Sequence, residues 1–199
     1  MPPTTREVPR VQTDQADGGA GPVPSSSTAS AAASDEPATT AAVVVRPPAP
    51  EDGAHMWRLA RDSGALDLNT SYAYLLFARD FARTCRVAVA DGAVVGFVLG
   101  YRRPDEPGTL FVWQVAVDPS QRGRQVAGRL LADVAAGARF VEASITADNT
   151  ASQRLFARFA AERGAPLERG ELFAESDFPD AGHATEGLVR IGPLETADH

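Results

Sequence analysis

Between Phe111 and Leu131 the sequence reads FVWQVAVDPSQRGRQVAGRLL, an apolar strand joined to an amphipathic helix by a loop carrying Gln121, Arg122, Gly123 and Arg124. These residue types in this order can bind a pyrophosphate. The first N–H groups of a helix have no acceptor within the helix, and the positive end of the helix dipole lies beside them. Arginines flanking the turn add charge-assisted hydrogen bonds to phosphate oxygens. The candidate contacts are Arg122, Gly123, Arg124, Gln125, Val126 and Ala127. The loop DLN, with Asp67 and Asn69 ahead of a helical segment, is a second candidate site. On pattern alone Trp113 is equally a core residue or a flat wall for a ligand. Strand parity places Gln114 on the opposite side from it.

The elements that hold these residues follow from punctuation and period. Val43 to Arg46 is a β-branched run stopped by Pro47 and Pro48, a first strand. Met56, Leu59 and Ala60 recur at helical spacing before Gly64. Asn69 or Thr70 caps a second helix whose apolar face is expected to carry Tyr72, Leu75, Leu76 and Phe81. Arg86 to Ala90 and Val94 to Tyr101 flank Asp91-Gly92, a hairpin signal. Thr109 to Val117 forms the strand entering the pyrophosphate loop, and Val126, Leu130, Leu131 and Val134 mark the buried side of the next helix. A strand over Phe140 to Thr146 precedes Asp148-Asn149-Thr150, which opens a helix striped with Leu155, Phe156 and Phe159. Leu172-Phe173 and Gly187 to Ile191 are expected to be the last strands, around the loop AESDFPDAGHATE. The order is β-α-α-β-β-β-α-β-α-β-β, an α/β fold on a mixed sheet.

Composition narrows the functional classes. The chain has 199 residues, 44% of them hydrophobic, enough for one globular domain with a sizeable core. Residues 1–42 are built from Ala, Ser, Thr, Gly, Pro and Asp and are expected to be a disordered tail. The folded domain is expected over residues 43–194, with 195–199 a short tail. The start lacks the basic, continuously apolar character of a secretory signal, and no later stretch suits a membrane helix, so a cytoplasmic location without membrane contact is expected. A net charge of −7 and the absence of lysine disfavour sequence-independent nucleic-acid binding. A single cysteine, Cys85, permits neither an internal disulfide nor a cysteine metal cluster, and no metal is expected.

The strand and loop resemble the acyl-CoA binding motif of the GNAT acetyltransferase superfamily, an Arg/Gln-x-x-Gly-x-Gly/Ala turn. Arg122 and Ala127 match it, whereas Gln125 replaces its first glycine. The element order over residues 43–194 is also that of the GNAT fold. Within the superfamily, the segments DLNTSYAYLL, TLFVWQVAVDPSQRG, NTASQRLF and FPDAGHATE are similar to the L-2,4-diaminobutyrate acetyltransferases of ectoine biosynthesis. That resemblance implies acetyl-CoA as co-substrate, a small diamine acceptor acetylated on its γ-amino group, and a homodimer.

It also implies roles for residues. Asp67, Asn69 and Glu186 fall in acceptor-side segments, where Asp67 and Glu186 would hold ammonium groups. Trp113 moves toward the substrate. A thioester is attacked by a neutral amine, and an amine of intrinsic pKa about 10.4 is mostly protonated near neutrality. Glu186 is the expected base, with His183 positioning it or relaying the proton. Transfer is direct, without an acyl-enzyme, so Cys85 is not required. A backbone N–H around Val115 to Val117 is expected to polarise the thioester carbonyl. Asn149 either meets the pantetheine arm or caps its helix. Many superfamily members place a thiolate-protonating tyrosine where this chain has Phe156. Two readings compete with this one: a GNAT enzyme for another small amine, and a non-catalytic acyl-CoA sensor.

Overall fold

The computed structural model describes residues 42–64, 66–179 and 182–195. The expected tails, 1–42 and 195–199, therefore lie almost wholly outside the described residues. Seven strands form one sheet: β1 (Val44–Arg46), β2 (Arg86–Ala90), β3 (Ala93–Arg103), β4 (Glu106–Val117), β5 (Phe140–Ile145), β6 (Leu167–Phe173) and β7 (Glu186–Ile191). Four helices join them: α1 (Gly53–Ser63), α2 (Ser71–Asp80), α3 (Val126–Val134) and α4 (Thr150–Glu162). The element order is the one read from the sequence. Spatially the strands run β1-β2-β3-β4-β5-β7-β6, and among these neighbours only β4 and β5 are parallel, joined by the α3 crossover.

Local chemistry accounts for the boundaries. Asp91 and Gly92 both have positive φ, 50° and 76°, which is the requirement of the two-residue turn that suits twisted antiparallel strands. Asn149 accepts a hydrogen bond from the Ser152 N–H at 3.0 Å and so caps α4. Each face of the sheet buries a separate apolar cluster. Leu130, Leu131 and Val134 of α3 and Phe156 and Phe159 of α4 pack on one side. Met56 and Ala60 of α1 and Tyr74 and Ala78 of α2 pack with Phe97 and Leu99 on the other. A fully buried Leu, Phe or Met contributes about 1.5–3 kcal/mol.

Three expectations required correction. The buried side of α2 carries Tyr74 and Ala78, whereas Tyr72 is 65% exposed, Leu75 43% and Phe81 42%. The helix is apolar nearly all round, so period alone does not select the inward stripe. Strand β6 begins at Leu167, five residues before Leu172, although most of its side chains are exposed. As the last strand of the sheet it has no apolar alternation, and pairing with β7 defines it. The third correction is a bulge in β4. Leu99 pairs with Gln114 and Gly100 with Val112, so Trp113 is the extra residue.

Candidate active site

Strands β4 and β5 pair only from Thr109 with Phe140 to Val112 with Ala143. Beyond that point β4 continues to Val117 and β5 to Ile145 without facing each other, and a cleft of about 440 Å³ opens between them. Its wall includes Asp67 and Asn69 from the loop before α2, Trp113 and Val115 from β4, Asn149 at the cap of α4 and Phe156 within it, and His183 just before β7 with Glu186 at its start. Four segments far apart in sequence thus meet at one opening in the sheet.

The bulge determines what β4 presents. It cancels strand alternation for one residue, so Trp113 and Gln114 both engage α2, against the expectation that Gln114 faces away. The Trp113 ring stacks on Phe77, with centroids 4.8 Å apart and planes at 27°. Gln114, 7% exposed, accepts a hydrogen bond from the Tyr74 hydroxyl at 3.0 Å and donates to the Asp67 carbonyl at 2.9 Å. Opposite them, the His183 ring lies flat on Phe178 at 4.4 Å and 10°. That stack fixes the imidazole plane on the cleft wall. Glu186 opens β7, where it pairs with Phe173 of β6.

Downstream of the cleft lies the candidate phosphate turn. Gly123 (φ 77°) and Gln125 (φ 57°) are both left-handed, and Gln125 is the residue before α3. The position that the GNAT pattern gives to glycine thus has a backbone conformation that favours glycine. The first intrahelical bond to reach back to Gln125 comes from the Arg129 N–H. The N–H groups of Val126, Ala127 and Gly128 therefore precede it and fit a phosphate. The Val126 side chain is 2% exposed and belongs to the core, so only its backbone is available. Val117 likewise packs against that core. Arg122 and Gly123 are exposed. Arg124 donates to the Gln121 side-chain oxygen at 2.5 Å. A second groove of about 380 Å³ begins at Gln125 and Ala127 and runs between α3 and α4 past Arg129, Arg154 and Arg158.

Phe156 lines the cleft and is 2% exposed. Ser144, Thr146 and Ser152 place hydroxyl groups on the same wall. The Cys85 thiol lies elsewhere, in the core beneath α1 and α2, where burial pushes its pKa up to about 11. Sequence reasoning missed Tyr74, Gln114 and Phe178. The adjacent Asp67 and His183 were the available signals, but the bulge that turns Gln114 inward left no mark in the strand's apolar pattern.

Comparison with known proteins agrees with the geometry. Residues 32–161 match the Acetyltransferase (GNAT) family. The L-2,4-diaminobutyric acid acetyltransferase of Streptomyces coelicolor is 57% identical over 155 residues, covering 74% of this chain and 91% of that protein. The enzyme of the same name from Marinococcus halophilus is 45% identical over 152 residues, 74% of this chain and 88% of its own. The structure of diaminobutyrate acetyltransferase EctA from Paenibacillus lautus, in complex with its substrate L-2,4-diaminobutyric acid and coenzyme A, superposes with a TM-score of 0.75 at 39% identity. It covers 80% of this chain and 99% of that one. Ard1 from Thermoplasma volcanium, 21% identical with a TM-score of 0.62 over 77% of this chain and 99% of its own, shares the fold. The chain belongs to the GNAT acetyltransferase family and, within it, to the L-2,4-diaminobutyric acid acetyltransferases.

Proposed function

We propose that the protein transfers the acetyl group of acetyl-CoA to the γ-amino group of L-2,4-diaminobutyrate by direct attack of the amine. The observation that carries this reading is the cleft at the β4–β5 opening, where Asp67, His183 and Glu186 meet Trp113 on the stretch of β4 that has left β5. The coenzyme's pyrophosphate fits the N–H groups at the start of α3 beside Arg122 and Arg124, and the arginine-lined groove between α3 and α4 begins at the same turn. Backbone N–H groups around Val115 to Val117 polarise the thioester carbonyl. Asp67 holds an ammonium group, and Trp113 covers the carbon chain. Glu186, directly or through His183 or water, takes the proton that the γ-ammonium must lose before it attacks. Phe156 has no proton to give, so the departing thiolate is protonated by solvent or by a hydroxyl of the cleft wall.

Substrate-bound EctA from Paenibacillus lautus, at 39% identity, and the 57% identity to the Streptomyces coelicolor enzyme support this choice of amine. On this reading the product is the precursor of the osmolyte ectoine, and the enzyme works in the cytoplasm as a homodimer. Sedimentation equilibrium then gives twice the chain mass of 20.9 kDa. The deciding experiment is coenzyme A thiol release from acetyl-CoA with diaminobutyrate, ornithine, lysine and an aminoglycoside, with NMR assignment of the acetylated nitrogen. Release with diaminobutyrate and a γ-acetylated product supports the proposal. Release only with another amine, or tight acetyl-CoA binding with no release at all, overturns it.

A further inference from the structure

Tyr74 is fully buried, and its hydroxyl donates to Gln114 Oε1 at 3.0 Å. At its other end Gln114 Nε2 donates to the Asp67 carbonyl at 2.9 Å, and Asn69 Nδ2 reaches the same carbonyl at 3.3 Å. The network therefore ties the Asp67–Asn69 loop, through the Asp67 carbonyl that Asn69 also holds, to one residue of β4. That residue lies between Trp113 and Val115, the two β4 positions whose side chains or backbone face the reaction in the functional reading above.

Stability alone does not call for this arrangement. A buried amide needs both its donor and its acceptor satisfied, while an apolar pair of the same shape fills such a space with nearly equal stability. What an apolar pair cannot do is fix the loop carbonyl at a defined place relative to the strand. We propose that Tyr74 and Gln114 are positioning residues: they hold the Asp67–Asn69 loop in register with β4 and so set where the acceptor diamine lies relative to the thioester. The proposal rests on the diamine-acetylating reading of the cleft. Asp67 orients an ammonium group, and the β4 backbone orients the acetyl carbonyl. The strut makes the spacing between them a property of one strand rather than of a loop.

The test is the double variant Tyr74→Phe/Gln114→Met, with Tyr74→Phe alone as the milder change should the double variant not fold. The expected result is KM for diaminobutyrate raised about tenfold, the effect of losing one or two hydrogen bonds. KM for acetyl-CoA and the melting temperature stay near those of wild type, and discrimination against ornithine weakens. Backbone amides of residues 66–70 exchange with deuterium faster than in wild type, a readout that does not depend on which amine is the substrate. Unchanged exchange in that loop together with an unchanged diamine KM in a folded variant overturns the strut. A wild-type enzyme that exchanges slowly there but never acetylates diaminobutyrate overturns the functional reading instead.

Discussion

At position 125 a residue with a side chain occupies a left-handed backbone conformation, φ 57° and ψ 24°. Left-handed backbone costs an L-residue about 1–2 kcal/mol, whereas glycine in the unfolded chain loses about 0.5–1 kcal/mol more entropy on folding. Strain relief is the larger of the two. Gln125→Gly should therefore raise stability by about 0.5–1 kcal/mol in urea titrations, with acetyl-CoA affinity equal to or tighter than that of wild type. A second residue prediction concerns the base. Glu186→Gln keeps the shape and removes the proton acceptor, so turnover with diaminobutyrate should fall by about 10²–10⁴, while acetyl-CoA binding measured by calorimetry stays the same. Turnover within a few-fold of wild type would exclude Glu186. Much at this scale was legible in advance: the loop residues Asp67 and Asn69 and the pair His183 and Glu186 line one cleft. Gln114 was not, because its place was inferred from alternation and the strand breaks alternation at its neighbour.

That break belongs to the scale of elements. Gly100 stands opposite Val112 at the edge of the bulge, and a Cβ there would lie 2.7 Å from the Phe111 carbonyl oxygen and 3.2 Å from that of Thr84. Both obstacles are backbone atoms and cannot swing aside. Gly100→Ala is expected to cost about 1–3 kcal/mol through backbone displacement. By shifting β4 it should also lower diaminobutyrate turnover more than acetyl-CoA binding, as steady-state kinetics beside a melting curve would show. Strands with turn punctuation were readable residue by residue, as at Arg86–Ala90 and the Asp91-Gly92 turn. Elements defined by their neighbours were not. In α2 a nearly uniform apolar surface conceals which side faces the sheet, and β6 at the sheet margin has no alternation to show.

On the scale of the molecule, the buried thiol of Cys85 and the buried hydroxyl of Tyr74 shape the response to alkali. Burial pushes the Cys85 thiol from 9.0 up to about 11, and burial likewise raises the Tyr74 hydroxyl despite its hydrogen bonds. In both cases the folded form holds its proton to higher pH than the unfolded chain does. Their contribution to stability is complete below about pH 9 and is lost as pH rises through the folded values. For Cys85 the loss reaches about 2–3 kcal/mol. Denaturant midpoints should therefore drop steeply between pH 9 and 11, and Cys85→Ala should flatten that drop while leaving the share due to Tyr74. At neutral pH the same thiol should resist alkylation until the protein unfolds. The element order and the GNAT fold were readable over nearly the whole domain, since each helix and turn carries its own signals. The length of pairing between β4 and β5 was not, because nothing in either strand marks where they part. That parting has a mechanical meaning. Among the described residues, β4 pairs with β5 from Thr109 to Val112, with one further main-chain bond from the Arg139 N–H to the Gly108 carbonyl, so the sheet is notched halfway along its central joint. A notched plate flexes and tears along the line of its notch. On the proposed function, a coenzyme arm bearing amide groups lies in that notch and would splice the two halves. The protein should accordingly be stiffest, and slowest to come apart under load, while acetyl-CoA is in place.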